Sequence, residues 1–165
     1  MAAHPTSKPK GPTAVKKLYY SAVLYTVLGL LGGLFYRELT KAQDFTGVTQ
    51  LSVVHTHLLT LGTVFFLIAI ALEKSLRLSS GRFFNAFFWT YHAGLLLSTG
   101  IMTAHGIMTV LGQQAGPAIS GPAGLGHVLL TIALVFFFVC LRSRIGDGSG
   151  PAARQRGETV FREAR

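Results

Sequence analysis

Five histidines lie inside apolar stretches of this 165-residue chain, namely His55, His57, His92, His105 and His127. An imidazole can ligate a metal or change its charge near neutral pH. Ionisable side chains in a membrane are rare, and they are functional candidates by default. The sixth histidine, His4, lies in a polar N-terminal segment and enters no site prediction.

Four long apolar stretches must position these histidines: roughly residues 18–36, 51–72, 83–111 and 122–141. Each approaches or exceeds the roughly 20 apolar residues that a membrane-spanning helix needs, and lipid leaves helix formation as the way to pair the backbone. Charged residues make up 13% of the chain, about half the share in soluble domains. We therefore predict an all-α, four-helix transmembrane bundle over residues 18–142. Residues 1–17 and 143–165 are predicted to be disordered basic tails.

The net charge of +9 is distributed very unevenly. Thirteen of the fifteen Lys and Arg residues lie before Leu18, in the 73–82 loop or after Leu141, whereas Arg37 and Lys41 lie in the first loop. This is the pattern in which cytoplasmic segments carry the excess of basic residues. It predicts a multi-pass protein of the cell (plasma) membrane with both termini cytoplasmic, and it argues against a nucleic-acid partner.

The chain resembles itself at an offset of 71 residues. The segment "LLTLGTVFF" (58–66) aligns with "LLTIALVFF" (129–137), and Tyr20 and Gly29 align with Tyr91 and Gly100. The similarity favours two duplicated helical hairpins; the alternative is the chance likeness of apolar segments. Gly29 and Gly33 form a GxxxG pair, which allows close helix packing.

Three helices are predicted to bring a histidine to one depth in the outer leaflet. At 1.5 Å per residue, His57 lies about 9 Å inside helix 2, His105 about 10 Å before Gly112, and His127 about 9 Å past Gly121. His92 lies about 20 Å deeper than His105. The alternative for each ring is a bond between helices, and for His92 we favour that alternative.

His55 and His57 are two residues apart, so their side chains leave a helix about 200° apart. They are therefore unsuited to holding one small ion between them, as an i, i+4 pair does. The spacing instead suits two separate ligands on opposite faces of one helix.

The segment "TAHGIM" (103–108) resembles the haem-ligand motif of subunit I of the haem–copper oxidases, and "VVHTHLL" is similar to that family's H-x-H haem segment. The resemblance implies that His57 and His105 are the axial ligands of a b-type haem iron. It also implies that His55 faces a second haem or metal, with His127 as its partner. The two segments occur in reversed order here, and the chain has no His-His pair or His-Pro-Glu segment for copper. Oxygen reduction by that route is therefore not implied.

Across residues 17–142, the whole chain resembles the small bacterial membrane proteins of the domain of unknown function 2871 family. The segments "KLYYSAVLYTVLGLLGGLFYRE" and "TQLSVVHTHLLTLGTVFFLIAIALEK" carry that likeness. It implies a four-helix membrane protein and brings no established activity.

The main hypothesis is a haem b membrane protein with a redox or gas-responsive role. The alternatives are a non-catalytic accessory or structural bundle, and a copper or zinc site or transporter. The sequence assigns no catalytic residue, and it leaves open whether the protein is an enzyme. The lipid bilayer is the expected partner, and the main hypothesis also allows a respiratory or redox partner protein and a second copy of the chain.

Overall fold

The structure is a computed structural model that describes residues 11–113 and 117–146. Its helices are α1 (Gly11–Ala42), α2 (Leu51–His57), α3 (Phe65–Leu76), α4 (Phe84–Val110) and α5 (Pro117–Gly146). A π-helical segment, Leu58–Val64, joins α2 to α3 without a break, and a 3-10 turn, Leu78–Ser80, follows α3. Four helices are long and apolar enough to cross a membrane: Thr13–Ala42, Leu51–Leu76, Phe84–Val110 and Gly124–Ile145. The predicted all-α bundle of four membrane helices is confirmed.

The helices pack as two hairpins, α1 against α2–α3 and α4 against α5. Glycines allow both close approaches. A Cβ added at Gly29 would lie 2.7 Å from the Leu59 side chain, and one added at Gly94 would lie 2.8 Å from the backbone nitrogen of Leu130. Each hairpin contains one of the two segments that align at an offset of 71 residues. Small residues act as the packing positions that the GxxxG pair predicted.

The antiparallel helices give the bundle two ends of different charge. One end, here the basic end, holds the start of α1, the α3–α4 turn and the end of α5, where Arg144 Nε donates to the Leu76 carbonyl (3.2 Å). Its described basic residues are Lys16, Lys17, Lys74, Arg77, Arg82, Arg142 and Arg144. The opposite, far end holds the last turns of α1, with Arg37 and Lys41, and the loop that joins α1 to α2. These two residues were predicted to lie in the first loop, and the structure places them in the helix. The two halves of the bundle are named after these ends.

The basic half is filled by aromatic side chains. Tyr25, Phe66, Phe87 and Tyr91 are fully buried, and Phe65 stacks on Tyr91 with ring centroids 4.3 Å apart. Edge-to-face and stacked pairs of this kind add stability beyond their buried area. These aromatic side chains therefore form the packed core between the hairpins.

Two predicted boundaries need correction. The helix α1 begins at Gly11 and α5 continues to Gly146, so residues 11–17 and 143–146 are helical and do not belong to disordered tails. Ala14 is buried, and it lines a cavity together with Phe84 at the start of α4. Residues 1–10 and 147–165 of the predicted tails lie outside the described residues.

The π-helical segment was not predicted. Gly62 within it lies against Tyr25 of α1, leaving no room for a Cβ at that position. The Leu61 carbonyl accepts a hydrogen bond from the Tyr91 hydroxyl (2.8 Å). A π-turn inside an α-helix disturbs the regular backbone ladder and often marks a functional region. Here a side chain from the other hairpin bonds to the disturbed backbone.

Candidate functional site

His57 is the last residue of α2 and is half-buried. Its Nδ1 lies 2.9 Å from the Val53 carbonyl oxygen of the same helix, so Nδ1–H donates and Nε2 carries the lone pair. Metal-ligating histidines use this arrangement, in which the second ring nitrogen donates to a carbonyl or carboxylate. The bond to Val53 in the same helix thus orients the His57 ring and keeps the proton on Nδ1, with the lone pair on Nε2.

His55 points to a different neighbour. A Cβ at Gly33 of α1 would lie 3.6 Å from the His55 Cβ and ring Cγ, so the ring packs on α1. Its Nε2 is 3.5 Å from the Thr56 hydroxyl, and its buried Nδ1 has no hydrogen-bond partner among the described residues. His55 and His57 therefore use different surroundings, as their spacing predicted.

His105 lies on α4, where that helix approaches the start of α2. At the next residue, Gly106, an added Cβ would lie 2.5 Å from the Leu51 backbone nitrogen. Thr49 donates to the Gly106 carbonyl (3.0 Å) across the same contact. The His105 Nδ1 is buried and has no hydrogen-bond partner in the described part of the chain. A buried polar atom without a partner is uncommon in proteins and calls for an explanation.

Packing contacts fix the relative depths of these residues. Leu51 contacts Gly106, and Leu58 and Thr99 line one groove, so His57 is level with Gly100. At 1.5 Å per residue, His57 and His105 are offset by about 8 Å along the bundle. This offset is smaller than the roughly 10–12 Å diameter of one helix.

His127 lies farther from His105. Gly126 of α5 contacts Ser98 of α4, which places exposed His127 level with Leu97 and about 12 Å from His105 along the bundle. The three histidines therefore spread over about 12 Å along the bundle, and they do not share the single layer that was predicted from helix boundaries. His55 is directed at α1 and His127 is exposed on α5, so the two residues predicted to share a second metal have different environments.

The described residues contain no group of three or more His, Cys, Asp and Glu side chains that could hold a metal ion. A zinc site normally has three or four protein ligands. The copper or zinc alternative therefore gains no support from this part of the chain. Axial haem ligation needs two imidazoles, so this finding does not bear on it.

His92 is bonded through both ring nitrogens, a network that sequence reasoning did not find. The Ser21 hydroxyl donates to the Lys17 carbonyl (2.9 Å), so its oxygen accepts from His92 Nε2–H at 3.1 Å. Nδ1 then accepts from the Tyr25 hydroxyl at 2.6 Å. The Phe66 ring stacks on the imidazole at 5.0 Å. His92 thus joins the two hairpins as a satisfied structural residue.

One signal in the sequence pointed to this network. Ser21 and His92 are 71 residues apart, which is the offset of the internal repeat. Equivalent positions of two packed hairpins can meet where the hairpins face each other. The repeat alone did not identify Tyr25 as the second partner, because that contact depends on how the hairpins pack.

A protein-family model matches residues 15–144, a segment with all four helices and the five histidines discussed here. The chain belongs to the DUF2871 family. This family is described as a protein of unknown function, so membership confirms the predicted relationship and supplies no chemistry. Searches of curated proteins and of solved structures gave no match. The function of this DUF2871 protein must therefore be argued from its own residues.

Proposed function

We propose that this DUF2871 protein binds b-type haem in its far half, with His57 and His105 as axial ligands. The observation that carries the proposal is the hydrogen bond from His57 Nδ1–H to the Val53 carbonyl (2.9 Å). This bond leaves Nε2 with a lone pair on a half-buried ring, and histidine is a common axial ligand of haem iron.

His105 fits the role of the second ligand because its buried Nδ1 lacks a partner among the described residues. A metal ion is one partner that satisfies such a nitrogen. The contacts between Leu51 and Gly106 hold α2 and α4 together at this level, so the two ligands would come from helices that already pack closely. Two rigid helices are a more accurate support for a site than loops.

A bound haem would supply one-electron redox chemistry, with a potential set by the surrounding polarity. With two histidines on the iron, a diatomic gas would bind only by displacing one of them. The apolar side chains of the far half would keep water away from it. This chemistry gives the protein a redox or gas-responsive role, and a respiratory or redox protein would be the partner for electron exchange.

The visible spectrum of the protein, purified in detergent from cells supplied with haem, tests this proposal. A Soret band that shifts on reduction is expected. His57→Ala and His105→Ala should each lose most of the band, whereas His127→Ala should keep it because His127 is exposed on α5. His57→Met should retain haem with an altered spectrum, since methionine is also an axial ligand. A band unchanged in both alanine variants would contradict the ligand pair.

The second candidate is a non-catalytic accessory or structural bundle. The His92 network favours it, because it shows that this chain uses a histidine to bond two hairpins. This candidate predicts colourless protein even when haem is plentiful. Metal analysis of that colourless protein would then test the copper or zinc alternative.

We also propose that the protein spans the cell membrane with its basic end in the cytoplasm. Four membrane-length helices support the multi-pass arrangement. The orientation is supported by the concentration of Lys and Arg at the basic end, because basic loops are retained on the cytoplasmic side.

A further inference from the structure

A cavity of about 500 Å³ opens at the basic end, between the start of α1 and the α3–α4 turn. It lies far from the candidate haem ligands, and neither the proposed function nor the family description uses it. Its lining is mostly polar or cationic and includes Thr13, Lys17, Ser80, Arg82 and Asn85.

The two cations in this lining are exposed and come from different helical segments. Lys17 belongs to α1, and Arg82 lies two residues before the start of α4. Its guanidinium lies 4.4 Å from the centroid of the Phe83 ring. Arg82 lines the cavity, whereas Phe83 does not. The described residues place no acidic partner within ion-pair distance of either cation. Two unpaired cations at one cavity favour an anionic ligand.

The backbone adds to this positive potential. Among the described residues, no side chain caps the start of α4, and Phe84 and Asn85 of its first turn line the cavity. The Phe84 N–H donates to the Gly81 carbonyl (3.1 Å), whereas the next N–H groups of the helix lack partners within it. The helix dipole favours an anion there. The hydroxyl groups of Thr13 and Ser80 can donate further hydrogen bonds to its oxygens.

One buried carboxylate lies behind the cavity wall. Glu73 accepts hydrogen bonds from the Ser79 backbone N–H (2.7 Å) and hydroxyl (2.6 Å). Both bonds hold the carboxylate on the turn, and Glu73 does not line the cavity. Its charge offsets part of the positive potential, and the two cations still exceed it.

Exposed aromatic side chains lie directly below the cavity. Tyr20 follows Lys17 by one turn of α1, and Trp89 follows Asn85 by one turn of α4; each is 66% exposed. Tyrosine and tryptophan concentrate at the membrane–water interface. The cavity is therefore at headgroup depth, with a surface suited to acyl chains beneath it.

We propose that the basic-end cavity binds a phosphate-bearing anion through Lys17, Arg82 and the start of α4. The phosphate can belong to the headgroup of an anionic phospholipid or to a free phosphate. Basic pockets between membrane helices on the cytoplasmic side are known to hold lipid headgroups.

Trp89 is the single tryptophan of the chain, so its fluorescence reports on lipid beside the cavity. In bilayers of phosphatidylcholine, a small fraction of phosphatidylglycerol with brominated chains should quench Trp89 more than the same fraction of brominated phosphatidylcholine. Two cations near the surface correspond to about tenfold enrichment or more. Lys17→Gln combined with Arg82→Gln should abolish the difference.

A matched control removes the same charge from the same end. Lys74→Gln combined with Arg77→Gln changes two exposed basic residues that do not line the cavity, and it should keep the phosphatidylglycerol preference. Ser80→Asp retains both cations and adds a negative charge at an exposed position of the lining, so it should reduce the preference. Circular dichroism would verify that each variant is folded.

A second arm measures the binding of inorganic phosphate to the protein in detergent by phosphorus NMR. Phosphate binding that is lost with Lys17 and Arg82, without a lipid preference, would assign the site to a free phosphate. A lipid preference lost in the same variant would assign it to the headgroup. The proposal is overturned if neither ligand binds, if binding survives that variant, or if the control pair weakens it equally.

Discussion

His92 and His105 lie on the same helix, α4, but in opposite halves of the bundle. His92 bonds to Ser21 and Tyr25 through its two nitrogens, whereas His105 has a buried Nδ1 without a partner among the described residues. The fold itself accounts for the first imidazole. The fold supplies no partner for the Nδ1 of His105 among the described residues. A buried imidazole nitrogen without a hydrogen bond therefore indicates a ligand better than burial alone does.

The packing around the two rings also differs. Aromatic rings fill the basic half around His92, with Phe88 4.5 Å from the imidazole. In the far half, an apolar groove of about 340 Å³ runs between α1, α2 and α4 beside Gly32, Val54 and Thr103. Around His92 the basic half is thus closely packed, and its cavity lies toward the end of the bundle. The far half has open space at the level of the candidate ligands.

The largest effect is expected from His92→Ala. The change leaves the Tyr25 hydroxyl without its acceptor and opens a cavity among packed rings, at a cost of about 3 kcal/mol in the free energy of unfolding. His105→Ala, on the same helix, removes a ring with no hydrogen bond at Nδ1 and should cost clearly less in the haem-free protein. Unfolding in mixed detergent would measure both, and equal losses would remove the distinction between the two halves.

A smaller effect is expected from Gly106→Ala. The added Cβ would meet backbone atoms of Leu51 at 2.5–2.9 Å, so α2 must move away from α4 at a cost of about 2 kcal/mol. Gly100→Ala is the matched control on the same helix, since its Cβ would meet nothing within 4 Å. That control should be neutral or stabilising by up to about 1 kcal/mol, because alanine favours helix more than glycine does. Similar thermal midpoints for both variants would contradict the close approach at Gly106.

The smallest perturbation tests which half faces outward. Gln113→Cys at the far end and Ser80→Cys at the basic end change exposed residues, so stability should stay within about 0.5 kcal/mol. In intact cells, a membrane-impermeant maleimide should label Cys introduced at 113 and leave Cys introduced at 80 unlabelled. The native Cys140 is 2% exposed and gives little background. The reverse labelling would invert the proposed orientation.

The helices were predictable from sequence because the cost of exposing backbone groups to lipid leaves few choices. Hydropathy located all four helices, and the i, i+2 spacing separated His55 from His57. The depths of His105 and His127 were harder, because they depend on how far each helix slides along its neighbour. Contacts such as Leu51–Gly106 determine that register, and no local pattern marks it.

The partners of His92 were also beyond local reasoning. Ser21 and Tyr25 lie on α1, 71 and 67 residues away, and they look like ordinary polar residues of an apolar helix. Whether a membrane histidine is satisfied depends on such distant partners. Sequence can therefore identify candidate ligands, while tertiary packing decides which of them the fold already uses.

The π-helical turn at Leu58–Val64 also sets the direction in which His57 points. Because successive residues of an α-helix are about 100° apart, deleting one residue there to restore a regular α-helix would rotate all of α2 about its axis by that angle relative to α3. Leu51 would lose its contact with Gly106 of α4, Val54 would move away from Gly32 of α1, and the two imidazoles would turn with them. The direction in which the histidines point therefore depends on this π-helical segment. The Tyr91 hydroxyl of the other hairpin holds the segment through its hydrogen bond to the Leu61 carbonyl.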